Sequence, residues 1–169
     1  MPITGRAGLQ ATYPQARAWA ADAQPLQVRG INVAAVPSVD GKAGAWEVMY
    51  VSPANSAARA FVWSSYEGEG LHEGVFGGPQ QSWRGGSGPQ SPVAMATLRS
   101  DTPEALTKAM EAAADYLKKP GDKPAINFLL ELTPRFPNPV WVVMWGQSAG
   151  LAEYSVFVDA NTGEVVGKG

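Results

Sequence analysis

The chain has 169 residues, 45% of them apolar and 17% charged, with a formal net charge of -2. It can bury one sizeable core or two small ones, and 13 Lys and Arg are too few for binding that relies on neutralising several phosphates, so nucleic acid is not an expected partner. With no cysteine, thiolate nucleophiles, disulfides and zinc–thiolate sites are excluded, and no apolar run approaches the roughly 20 residues of a membrane helix.

Residues 1–11 are small and polar and predict an extended arm. Thr12 then reads as a helix cap, Pro14 suits a first turn, and the Ala-rich residues 15–23 predict a short helix that Pro25 ends. Val28, Ile31, Val33 and Val36 mark residues 27–36 as a strand, followed by a loop over 37–44. Residues 45–52 and 58–65 predict a strand pair joined through Pro53-Ala54-Asn55-Ser56. From 66 to 92 the composition shifts to Gly, Pro, Gln and Ser, including Gly77-Gly78 and Gly85-Gly86-Ser87-Gly88. A flexible tether would not need Leu71, Val75, Phe76 and Trp83, so the expectation is an ordered loop packed across the domain.

Residues 93–98 are a candidate strand, and Ser100-Asp101-Thr102-Pro103-Glu104 opens a second helix: polar cap candidates, proline in the first turn and an early acid near the positive helix end. Leu106, Met110, Ala113 and Leu117 give this helix an apolar face, and Pro120-Gly121 stops it. Residues 125–132 predict the next strand. Val140-Trp141-Val142-Val143-Met144-Trp145 and the apolar runs flanking Asp159-Ala160-Asn161-Thr162-Gly163 predict three more, because β-branched and aromatic residues fit a pleated, half-buried surface.

Sliding the chain on itself by 95 residues places Trp46 on Trp141, Val48 on Val143, Met49 on Met144, Ile31-Asn32 on Ile126-Asn127, Pro25 on Pro120 and Gly68-Glu69 on Gly163-Glu164. Such coincidences at element boundaries indicate a duplication. Each half reads helix, strand, strand, strand. The predicted fold is α+β: two tandem helix-plus-three-stranded antiparallel units, packed together because a sheet so small is marginal alone. The arm covers 1–11, the first repeat 12–74, the ordered loop with its candidate strand 75–99, and the second repeat 100–169.

A helix opened by Asp or Ser and Pro, an apolar strand, a Trp-x-Val strand and a strand running into Val158-Asp159-Ala160-Asn161-Thr162-Gly163-Glu164-Val165-Val166 together resemble the PepSY and PepSY-like domains of bacterial proteins. Trp141-Val142-Val143 stands for the family's aromatic-x-Val strand. The first half keeps Trp46-Glu47-Val48 and Gly68-Glu69, but Ser64-Ser65-Tyr66-Glu67 replaces the Asp-Ala-x-Thr segment. The resemblance implies an extracytoplasmic module that binds protein, including as an inhibitor of peptidases, with no catalytic residues to carry over.

Several residue groups invite a chemical reading. Gly146-Gln147-Ser148-Ala149-Gly150 matches the nucleophile elbow of hydrolases, which needs a helix after the serine and then an acid and a histidine. Here strand-like residues follow, and His72, the one histidine, lies upstream, so a glycine-rich hairpin connection is expected. His72 among Glu67, Glu69 and Glu73 could bind a divalent metal or act in acid/base catalysis, or be a solvated loop histidine. Asp159, Asn161 and Glu164 lack the spacing of a calcium loop and read as turn formers. Trp46, Trp141 and Trp145 are expected within the sheets. Trp83 beside Arg84, with Phe76 earlier in the same loop, are the candidate partner contacts, since exposed aromatics and arginine anchor interfaces; the other reading tucks Trp83 into the core.

The resulting expectation is a non-enzymatic extracytoplasmic protein-binding module, an accessory subunit or peptidase modulator, without cofactor. Its association with a membrane complex would need no spanning segment. Residues 1–10 lack the apolar core of a signal peptide, so export would depend on a signal or anchor outside this chain. The alternative is a small-ligand or metal binder with its site between the two repeats, around His72 and the long loop.

Overall fold

Trp46, Val48 and Tyr50 are fully buried and alternate with the less buried Glu47 and Met49, a period-two pattern that can only be a strand with one face on a core. In the computed structural model, which describes residues 1–85 and 90–169, the elements in chain order are β1 (Ile3–Thr4), α1 (Gly5–Trp19), β2 (Gln24–Ile31), β3 (Lys42–Ala43), β4 (Ala45–Ser52), β5 (Ala57–Ser64), β6 (Gly74–Ser82), a 3-10 turn at Met95–Thr97, α2 (Thr102–Ala112), α3 (Ala114–Lys118), β7 (Ile126–Glu131), β8 (Val140–Trp145), β9 (Tyr154–Asp159) and β10 (Val165–Lys168). Gly86, Ser87 and Gly88 of the glycine-rich run lie outside the described residues.

The fold is α+β, with one large antiparallel sheet of eight strands in the order β10-β9-β8-β7-β2-β4-β5-β6. The strands before and after residue 100 therefore form one sheet, joined where Gln27–Arg29 of β2 pair with Leu129–Glu131 of β7. Both helices lie on one face. Leu9 and Ala16 of α1 and Ala105, Ala109 and Ala113 of the α2 segment share a single core with Val28, Trp46, Val48, Tyr50, Leu130, Trp141, Val143 and Trp145. A smaller cluster on the other face, Leu129, Val140, Val142 and Met144, is covered by Phe136, Ala152 and Phe157.

The first helix departs from expectation. It begins at Gly5, within the expected arm, and Thr4 caps it by accepting from the Ala7 N–H at 3.1 Å. Thr12, expected as the cap, is interior and fully buried; its hydroxyl bonds the Gly8 and Leu9 carbonyls and lies 2.8 Å from the Tyr50 hydroxyl. The reason is tertiary. A Cβ on Gly5 would stand 2.5 Å from Trp141 Cη2, and one on Gly8 would stand 2.7 Å from Trp46 Cγ. Glycines that weaken an isolated helix are thus what lets the indoles approach this one.

The two helix starts meet at the centre of the molecule. Asp101 caps α2 as expected, its Oδ1 accepting from the Thr102 N–H at 2.7 Å, and the same oxygen accepts from the Arg6 N–H of α1 at 3.0 Å. One carboxylate thereby serves two positive helix ends. The buried face of this segment is Ala105, Ala109 and Ala113, continuing to Tyr116 of α3; of the predicted Leu106, Met110, Ala113 and Leu117, Ala113 is buried, Leu106 and Leu117 pack at the margin of the core, and Met110 is 42% exposed. Alanines let the helix backbone sit close on a sheet whose own side chains, Trp141 and Trp145, already fill the space.

Two further expectations are corrected. Within the loop expected over 75–99, residues 74–82 are a strand paired along its length with β5, and the candidate strand 93–98 contains the 3-10 turn. The offset of 95 holds for two strand pairs, since Val48 faces Phe61 as Val143 faces Val156. It fails for β2 and β7: Val48 faces Val28, whereas Val143 faces Phe128, so Phe128 and not Lys123 occupies the place corresponding to Val28. The connection carrying β3 is longer than the one from β7 to β8, and it absorbs the difference.

Candidate functional site

The candidate partner contacts map to one edge of the sheet. β6 is its terminal strand, held from the helix face by α1. Trp19 Nε1 donates to Gln80 Oε1 at 2.9 Å and Gln15 Nε2 to the Val75 carbonyl at 3.2 Å. From β5, Arg59 Nε donates to the Gly78 carbonyl at 2.7 Å while its guanidinium stacks 5.1 Å from the Phe61 ring centroid. That guanidinium lies where a side chain at 77 would be: a Cβ on Gly77 would meet Arg59 Nη2 at 2.8 Å. The glycines that made this stretch read as a loop are what allow a strand to lie under an arginine.

Phe76 faces away from the helices, opposite Val62, and is 50% exposed. Its ring contacts the imidazole of His72 at 5.2 Å between centroids. Trp83 is half-buried just beyond the strand, its N–H donating to the Ser56 carbonyl at 2.9 Å, and Arg84 is exposed. Phe76 and Trp83, expected in one loop, lie at opposite ends of an extended segment, about 23 Å apart at about 3.3 Å per residue. They are two anchors of one edge and not a single patch.

The turn leading into β6 carries the acidic residues grouped with His72. Glu67 Oε2 is 2.9 Å from His72 Nδ1, and Glu67 Oε1 accepts from the Glu73 N–H at 3.1 Å. These bonds, from the Glu73 amide first and from His72 next, hold the Glu67 carboxyl below its ordinary value. Glu69 is directed elsewhere: its two oxygens accept from the Ala34 and Ala35 N–H groups at 3.0 and 3.1 Å, tying this turn to the connection after β2. The carboxylates therefore act as loop braces, and no group of three metal-ligating side chains forms among the described residues. His72 also belongs to the outer edge of the sheet and not to the junction between the halves, where the alternative site was expected.

Ser148 lies in the connection between β8 and β9, where the Leu151 N–H donates to the Ser148 carbonyl and the Glu153 N–H to the Trp145 carbonyl. A strand follows it where the nucleophile elbow needs a helix, and His72 is on the far edge. Asp159 is an Asx turn: Oδ1 accepts from the Asn161 and Thr162 N–H groups at 2.8 and 2.9 Å, and Oδ2 from Asn138 Nδ2 at 2.9 Å. Burial would raise its pKa, but the bonds from Asn138, Thr162 and Asn161 prevail and hold it below the ordinary carboxylate value. Asp159 thus forms the turn expected of it, and Asn161 supplies one of the N–H groups that close it.

Asn32, Asn127 and Gln147 were missed. The structure brings them together in a cleft between β2 and β7. The signal was legible as the recurring Ile31-Asn32 and Ile126-Asn127, a polar amide closing an apolar strand in one half and opening one in the other.

No family model matches the chain, and no curated protein matches it. Among solved structures it is similar to the crystal structure of a candidate lipoprotein from Clostridium difficile 630, with a TM-score of 0.55 and 11% identity over 94% of this chain and 92% of that one. At that identity the likeness is one of fold, an α+β arrangement seen along nearly the whole of both chains. Among the described residues no helix is long and apolar enough to cross a membrane.

Proposed function

We propose that the chain is a non-enzymatic protein-binding module acting outside the cytoplasm, a tandem PepSY-like protein that serves as an accessory subunit or peptidase modulator. The observation that carries this reading is the free edge of β6, a nine-residue strand with no strand paired to its outer side among the described residues and with half-exposed Phe76 on the face away from the helices. A sheet edge with unpaired backbone groups is a template for an added strand, and an exposed aromatic beside it supplies an anchor. Pro79 lacks an N–H and blunts the edge beyond it, so the pairing segment is Gly74–Gly78, with Trp83 and Arg84 as a second contact at the far end. The PepSY resemblance and a lipoprotein of similar fold both support an extracytoplasmic setting.

The test is cross-linked affinity purification from membrane and envelope fractions, comparing the parent chain with Phe76→Ala and with the double variant Trp83→Ala, Arg84→Ala. A stoichiometric protein partner retained by the parent and lost from Phe76→Ala is the expected result. Equal recovery with all three chains would remove the edge from the interface, and recovery of nothing with any of them would leave the module reading without its main support.

A further inference from the structure

The two central strands of the sheet separate at one end. β2 and β7 pair only over Gln27–Arg29 and Leu129–Glu131. Yet β2 continues against β4 as far as Ile31, and β7 begins against β8 at Ile126. Continued in the same register, Gly30 and Ile31 lie opposite Phe128 and Asn127, but among the described residues the ladder does not reach them; the Asn127 carboxamide stands beside Gly30, where a Cβ would meet its Oδ1 at 2.6 Å. A cavity of about 480 Å³ opens in this fork, lined by Ile31, Asn32, Pro124, Asn127 and Gln147 among others. A second cavity of about 550 Å³ shares Asn32 and Ala125 and extends the trough to Pro37 and Ser38.

The carboxamides of Asn32 and Asn127 converge there with bonding capacity to spare, and Gln147 lines the same cleft. Asn127 is only 6% exposed, yet its amide reaches the Gln147 carbonyl at 3.4 Å, the long limit of a hydrogen bond. Its Oδ1 accepts from the Phe128 N–H at 2.8 Å, a donor on the strand that parts from β2. Asn32 Nδ2 reaches the Ile126 carbonyl at the same long 3.4 Å, while its Oδ1 accepts from Ser38 Oγ at 2.7 Å. Arg29, the one cation among the described residues lining the trough, is already paired with Glu47 at 3.0 Å, so an anionic ligand gains little. Among the described residues no aromatic side chain lines the trough to stack on a sugar or a base.

We propose that this fork binds an extended peptide segment through its main chain. A peptide main chain is uncharged, carries donors and acceptors in alternation, and matches both the carboxamides and the strand backbone they now bond, which it could take over from them. Ile31 and Ile126, both partly exposed, wall the trough with apolar surface for alternate side chains, as in other strand-addition sites. This site is independent of the β6 edge.

The test is NMR titration of the 15N-labelled chain with an acetylated, amidated hexapeptide of alternating Ser and Val, and with the same peptide N-methylated at alternate main-chain nitrogens. Saturable shifts are expected at the amides of residues 30–32, 125–127 and 147 and at the Asn32 and Asn127 side chains. The N-methylated peptide should bind about tenfold more weakly, equivalent to about 1.4 kcal/mol. Asn32→Ala and Gln147→Ala, both at exposed positions, should weaken binding several-fold without changing the melting temperature. Absence of saturable shifts at these residues with millimolar peptide would overturn the proposal. So would equal binding of the two peptides, or shifts confined to residues 74–82, which would credit the edge instead.

Discussion

The two helices lie on the same face of one sheet but reach close packing by different means. α1 presents bare backbone to large rings, with Gly8 under Trp46 and Gly5 under Trp141, and buries a hydroxyl pair, Thr12 and Tyr50. The α2–α3 segment presents Ala105, Ala109 and Ala113 and ends in an aromatic cluster, where Tyr116 stacks on Tyr154 at 4.6 Å and meets Trp145 edge-on at 5.6 Å. Trp141, a residue of β8, reaches across to α1 and to Trp46, 6.3 Å away between centroids. The N-terminal half is therefore intolerant of any added atom at two helix positions. The C-terminal half keeps a methyl's width between helix and sheet, and the two depend on each other at the centre.

Removing the central rings should cost most. Trp46→Ala and Trp141→Ala should each lose about 3–5 kcal/mol of stability in urea unfolding. Because the rings touch, the double variant should lose less than the two losses combined, and strict additivity would refute the interlock. Next in size is Gly8→Ala, expected to cost about 1–3 kcal/mol by overpacking. Gly150→Ala, at a position with no atom within 4 Å, should stay within about 0.5 kcal/mol of the parent. Equal stabilities for these two glycine variants would show that helix α1 does not sit on Trp46 as described.

Asp159→Asn should cost about 1–3 kcal/mol at neutral pH, since the carboxylate accepts from two N–H groups and Asn138. The folded pKa lies below the ordinary value, so this stabilisation is present above the ordinary carboxylate pKa and is lost as pH falls through the folded one. Unfolding curves of parent and variant should converge in acid, and a gap independent of pH would contradict the assignment. Thr12→Val should cost about 1 kcal/mol, because the Tyr50 hydroxyl keeps the Leu9 carbonyl at 3.2 Å as a partner. Burial raises the Tyr50 pKa, so its phenol should stay protonated in the folded chain at pH values where exposed tyrosines ionise, as absorbance titration would report. Smallest of all, Phe76→Ala should leave stability within about 0.5 kcal/mol while removing the contact at the sheet edge.

Much of this fold was legible residue by residue. The strands β4, β5, β8 and β9 follow from alternating Trp, Val and Tyr, and the α2 start from Asp101 and Pro103, because those patterns record local geometry. Helix α1 begins earlier than its sequence suggests because its reason lies in β4 and β8: Gly5 and Gly8 look like the residues of an arm until the indoles that need them are placed. The sequence of β6 looks like a loop for the same kind of reason, since Gly77 makes sense only beneath Arg59. The offset of 95 correctly aligned the strands that keep their connection lengths and misaligned β2 with β7, where one connection is longer. At the candidate site, Phe76 was named from its type, but its place on a terminal strand was not visible.

By itself the amino-acid sequence determined the α+β class, the run of strands around Trp46 and Trp141, the hairpin at Asp159 and the exclusion of cysteine chemistry, because each depends on residues near one another in the chain. Only the tertiary structure decided that the halves share one sheet, that Glu69 braces the connection after β2, that β6 forms a free edge, and that Asn32 and Asn127 line one cleft. Those facts depend on which strands become neighbours, and neighbouring is settled by packing between residues far apart in the chain.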